Sequence, residues 1–155
     1  MPNHFHFVIQ VKGKAEIEAY LKNIKDQERS LKRLKKLDEH FSNFISSWWA
    51  SFFNAYSKAF NKRYNRRGSL FLENVQRKPV LTDEYRKHLV RYIHKNAIHH
   101  GFAKEIHHWP FSSYEDIINK SDPRLLREEV LSWFGGLQPF LDFHAATDDG
   151  KDIFI

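Results

Sequence analysis

The chain contains no cysteine among its 155 residues. A disulfide framework, cysteine-ligated zinc and a thiol nucleophile are therefore excluded. No apolar run approaches the length of a membrane span. The first residues lack the basic-then-apolar order of a secretory signal. Internal repeats and low-complexity segments are absent as well. These absences lead to the expectation of a cytoplasmic chain with no membrane association, long enough to bury a core.

Aromatic and basic side chains, by contrast, are abundant. There are 14 Phe, 6 Tyr and 4 Trp, and 25 Lys and Arg stand against 19 Asp and Glu, for a net charge of +6. A basic surface rich in aromatic rings suits a polyanion whose bases stack, such as single-stranded nucleic acid. A basic protein with an aromatic core fits this composition equally well.

The first chemical signal is His4-Phe5-His6, followed by Phe7-Val8-Ile9. In a strand, residues i and i+2 share a face. His4 and His6 then project side by side, with Phe5 directed into a core. Neutral imidazole is a common ligand for divalent metals. An incidental pair and a structural metal staple remain open alternatives.

Along the chain, His4 to Val11 reads as a strand. Ala15 to Leu37 reads as a long, highly charged helix. Phe41 to Tyr64 is a second helix, with an aromatic stripe that suits a core. A basic loop follows, Asn61-Lys62-Arg63-Tyr64-Asn65-Arg66-Arg67-Gly68. Leu70 to Leu81 is strand-like, and Pro79 suggests an edge or strand end. Thr82-Asp83-Glu84 starts a helix expected to end at Gly101. Trp109 to Tyr114 is a turn into a short helix. Asp122-Pro123 opens a helix reaching Phe134, and Gln138 to His144 is a last helical segment before a frayed tail from Thr147 to Ile155.

The helix beginning at Asp83 places Tyr92 and Asn96 one turn apart on one face, with His88 a turn earlier. A divalent ion held by His4, His6 and an oxygen of Asn96 would leave positions open for a phosphodiester. Tyr92 would then sit as nucleophile, with His88 a candidate base. The plainer reading of Tyr92 and Asn96 is a hydrogen-bonded helix anchor. The adjacent pairs His99-His100 and His107-His108 do not suit chelation, since helical neighbours point about 100° apart.

Four segments in order resemble the HUH single-strand transposases, specifically the REP-associated tyrosine type. Met1-Pro2-Asn3-His4-Phe5-His6 resembles the HUH strand. Tyr64-Asn65-Arg66-Arg67-Gly68-Ser69-Leu70-Phe71 resembles the family's basic segment. Arg91-Tyr92-Ile93-His94-Lys95-Asn96 resembles its tyrosine helix, and Gly101-Phe102 the end of that helix. Trp109-Pro110-Phe111-Ser112-Ser113-Tyr114 resembles its following signature. Ala97 stands where the family usually has proline.

The resemblance implies His4, His6 and Asn96 as metal ligands for Mg²⁺ or Mn²⁺, and Tyr92 as nucleophile. Lys62, Arg63, Arg66, Arg67 and Lys78 become candidate DNA contacts. It implies an α+β fold with a ferredoxin-like central antiparallel sheet. The expected organisation is a transposase domain over 1–120, with a charged helical insert at about 15–40, and a helical extension over 121–155. Implied partners are hairpin-bearing single-stranded DNA and a second copy, with action at the nucleoid. Family members carry a strand, a helix and a pairing strand ahead of the HUH strand. The resemblance thus also implies a sheet that lacks those strands and exposes its edges. A catalytically silent, truncated or domesticated nucleic-acid binder is the alternative reading.

Overall fold

The computed structural model describes residues 4–72 and 75–146. Among these residues it forms helices and no β-strand, so the expected ferredoxin-like sheet is absent. The reason is pairing. A strand's backbone donors and acceptors need a neighbouring strand. Neither His4 to Val11 nor the described part of Leu70 to Leu81 is paired in this way, and both are irregular. Glu73 and Asn74 lie outside the described residues. Phe5, expected in a core, is 44% exposed, and Phe7 and Ile9 are exposed beside it.

The chain divides into two compact units, Gln10–Gln76 and the combination of Met1–Ile9 with Arg77–Ile155. The first unit holds α1 (Lys14–Lys22), α2 (Gln27–Glu39) and α3 (Phe41–Arg63). The single long helix expected over Ala15 to Leu37 is thus two helices. Asp26 causes the break, because its carboxylate caps a new helix by accepting the Arg29 N–H at 2.9 Å. The Ser30 hydroxyl then donates to the Leu21 carbonyl at 2.8 Å, a buried bond that ties α2 to the end of α1. Ile17, Leu21, Leu37 and Phe44 form the unit's buried cluster. Of the aromatic stripe on α3, Phe44 is buried, whereas Phe52 and Tyr56 are exposed.

The second unit holds α4 (Asp83–His99), a 3₁₀ turn (Ile106–His108), α5 (Tyr114–Asn119), α6 (Arg127–Phe134) and α7 (Leu137–Ala145). Thr82 caps α4 by accepting the Tyr85 N–H at 3.2 Å. Gly101 ends it at φ +72°, a left-handed conformation that favours glycine. The helix expected from Asp122-Pro123 begins later, at Arg127. Val90 of α4 packs with Tyr114, Ile117, Leu131, Phe134 and Phe140 in one buried cluster. The described residues after 120 therefore share a core with α4 and α5. The tail from Thr147 to Ile155, read as frayed, lies outside the described residues. Among the described residues no helix is long and apolar enough to cross a membrane.

Candidate metal and nucleophile site

The segment carrying His4 and His6 belongs to the same unit as α4. His4 and His6 are half-buried, whereas Phe5 between them is exposed, the reverse of the expectation for Phe5. The two imidazole rings lie edge to face with centres 5.2 Å apart. At that spacing the two rings are near enough for one divalent ion to be shared between them after a small closure.

Tyr92 and Asn96 meet this pair from α4. The Tyr92 ring packs against His6, centres 5.8 Å apart, and against His99 at 5.9 Å. Asn96 is buried, and its side chain lies close enough to His4 to raise that imidazole's pKa. Yet neither polar atom of the Asn96 amide has a partner in good hydrogen-bond geometry, and the buried Nε2 of His6 has none either. A buried polar atom without a partner costs about 1–3 kcal/mol. His6 Nε2 and Asn96 Oδ1 carry lone pairs that a cation could take up, whereas the Asn96 Nδ2 is a donor and could not ligate one.

The electrostatics agree with a ligand role. Burial lowers the pKa of His4, and the neighbouring His100 imidazole, with its ring centre 5.4 Å away, lowers it further. Burial likewise lowers His6, followed by the charges of His4 and His100. A lowered pKa keeps the ring neutral near pH 7, the form that binds metal. His88, read as a candidate base, packs its ring against Phe143, centres 5.2 Å apart.

What holds α4 in place is a buried relay not anticipated from the sequence. His144 Nδ1 lies 2.8 Å from the Phe140 carbonyl, which only accepts. His144 Nδ1 therefore carries the proton, and its Nε2 accepts from His94 Nδ1 at 2.9 Å. That leaves His94 Nε2 to accept the Ser113 hydroxyl proton, at 3.0 Å. Burial holds His94 down at about 3 and His144 at about 4, so the relay is neutral. Since His94 lies between Tyr92 and Asn96 in sequence and points to the buried side, the relay fixes the helix that presents both. Arg91 reinforces it, its guanidinium 4.8 Å from the Phe143 ring centre.

The basic candidates fall in both units. Lys62, Arg63, Arg66 and Arg67 belong to the Gln10–Gln76 unit, and Lys78 belongs to the other. All five are exposed. Asn65 adopts φ +49°, and the Asn61 amide donates to the Gly68 carbonyl at 2.9 Å, closing the loop that displays the arginines. Arg66 lies over the Phe60 ring, 5.7 Å from its centre. The ring of exposed Tyr64 packs against that same Phe60, centres 4.5 Å apart.

The 3₁₀ turn contributes a further cluster. Glu105, His107 and His108 bring one ligand atom each to within 4.8 Å of one another. The sequence rule for α-helical neighbours discounted His107 and His108, but a 3₁₀ turn eclipses residues three apart and so stacks His108 over Glu105. Compared with protein-family models, curated proteins and solved structures, the chain matches none.

Proposed function

We propose that the chain is a metal-dependent nuclease and strand-transfer enzyme of the HUH tyrosine transposase type, acting on hairpin-bearing single-stranded DNA. The observation that carries this reading is the convergence of His4, His6, Tyr92 and Asn96, with buried atoms on His6 and Asn96 that lack a well-aligned hydrogen bond. A divalent ion, Mg²⁺ or Mn²⁺, on His4, His6 and Asn96 would supply Lewis-acid polarisation of a phosphate oxygen. The Tyr92 oxygen attacks phosphorus and forms a Tyr–O–P bond. The bond from phosphorus to the 3′ oxygen breaks, and that oxygen leaves as a 3′-hydroxyl. His99, with its ring centre 5.9 Å from that of Tyr92, would take the phenol proton, and the leaving 3′ oxygen would take up a proton from it through water. The 5′-phosphotyrosine keeps the bond energy, so rejoining to another 3′-hydroxyl needs no nucleotide cofactor. The exposed Lys62, Arg63, Arg66, Arg67 and Lys78 would position the strand, and a homodimer is the proposed acting form.

A second reading, a catalytically silent nucleic-acid binder, is favoured by one observation. Among the described residues, the His4–His6 segment has no paired strand beside it to hold it rigid. Labelled hairpin DNA incubated with the protein and Mn²⁺ separates the two. The enzyme reading expects label migrating with protein on a denaturing gel, lost in Tyr92→Phe. Binding without an adduct under Mg²⁺ or Mn²⁺ supports the silent binder. An adduct that persists in Tyr92→Phe sinks the nucleophile assignment.

A further inference from the structure

We infer that Glu105, His107 and His108 form a second metal site, selective for a borderline divalent cation of the Zn²⁺ class. The ligand set is two imidazoles and one carboxylate, which suits zinc, nickel or copper better than the hard ions Mg²⁺ and Ca²⁺. His107 Nε2 and His108 Nε2 lie 2.9 Å and 3.8 Å from the same Glu105 oxygen, Oε2. The His107 and His108 rings are edge to face with centres 4.5 Å apart. Ligand atoms on one ion of this class sit about 3.3 Å from one another, so small side-chain rotations close the site. Three protein ligands leave one tetrahedral position for water or an incoming group.

The backbone makes this arrangement. The His108 N–H donates to the Glu105 carbonyl at 3.1 Å, closing the turn. Ile106, in the same turn, faces the other way and packs against the cluster of Val90, Tyr114 and Phe140. The turn thus has an apolar anchor on one side and three ligands on the other. Its side chains are more than half exposed, so an ion enters without any opening of the fold. An ion there cross-links the turn and stabilises the unit that carries it, because it binds the folded geometry and not the unfolded chain. Nothing in this site depends on the role of His4, His6 or Tyr92.

The test is titration of ZnCl₂ into the His4→Ala/His6→Ala double variant by calorimetry. One saturable equivalent is expected, together with a Zn²⁺-dependent rise in the thermal midpoint. Adding His107→Ala and His108→Ala should remove both signals while the far-ultraviolet circular dichroism stays unchanged. Glu105→Gln provides a check independent of the histidines and should weaken binding by at least about tenfold. No saturable binding in the double variant, a surface ion pair only, overturns the inference. So does an equivalent that survives the loss of His107 and His108.

Discussion

Asn96 is an amide buried on α4 beside His4, with neither polar atom in good hydrogen-bond geometry, a condition that proteins rarely keep without a use. If its purpose is a metal ion, removing the amide should relieve the apo protein and harm the loaded one. Asn96→Leu is therefore expected to leave the metal-free thermal midpoint unchanged or raised, by relief of a penalty of about 1–3 kcal/mol. The same variant should lose Mn²⁺ binding and adduct formation. A marked fall in the metal-free midpoint would show instead that the amide makes structural bonds. The sequence made this residue legible, because Tyr92 and Asn96 one turn apart is a helical spacing. It could not show how poorly the amide is hydrogen-bonded, since that depends on what the rest of the unit places around it.

At the scale of elements, α4 is held by α7 and by the turn before α5 through the chain Ser113–His94–His144–Phe140. Both imidazoles are neutral in the fold, lowered by burial to about 3 and about 4 from an ordinary value of 6.5. The stabilisation they give is fully present above pH 6.5. As pH falls below 6.5 the unfolded state binds protons that the folded state refuses. Stability then drops until the folded-state values near 4 and 3 are reached. Each imidazole contributes a slope of about 1.4 kcal/mol per pH unit in that window. Urea unfolding between pH 7 and pH 4 checks this, and replacing both histidines by leucine should flatten the curve. A wild-type curve as flat as that of the variant would remove the relay from the account. Sequence reading placed His94 inside the tyrosine-helix segment without giving it a role, because its partner stands 50 residues away.

For the whole molecule, the net charge of +6 and the arginine loop predict binding to single-stranded DNA governed by salt. Each phosphate neutralised contributes about −0.7 to the slope of log affinity against log salt on single strands. Arg66→Ala/Arg67→Ala should flatten that slope by about 1.4 if both contact phosphate. Fluorescence anisotropy with a labelled hairpin oligonucleotide, at several salt concentrations, measures it. An unchanged slope would move the nucleic-acid contact away from this loop. The division into two units also belongs to this scale. The aromatic stripe on α3 read as core, yet only part of it is covered in its own unit.

Local patterns were decided by the sequence alone. The period of the apolar residues sets α3 and α4, Thr82 starts α4 and Gly101 stops it. These features follow from backbone geometry within a few residues. The tertiary structure decided the rest. Among the described residues it left the His4–His6 segment unpaired, split the charged helix at Asp26, and joined His94 to His144. It also turned Glu105, His107 and His108 into neighbours. Each of those outcomes rests on a partner that a local pattern does not contain: a second strand, a competing cap, a distant imidazole, or a tighter turn. A ladder hydrogen bond or a buried relay exists only when both ends are present.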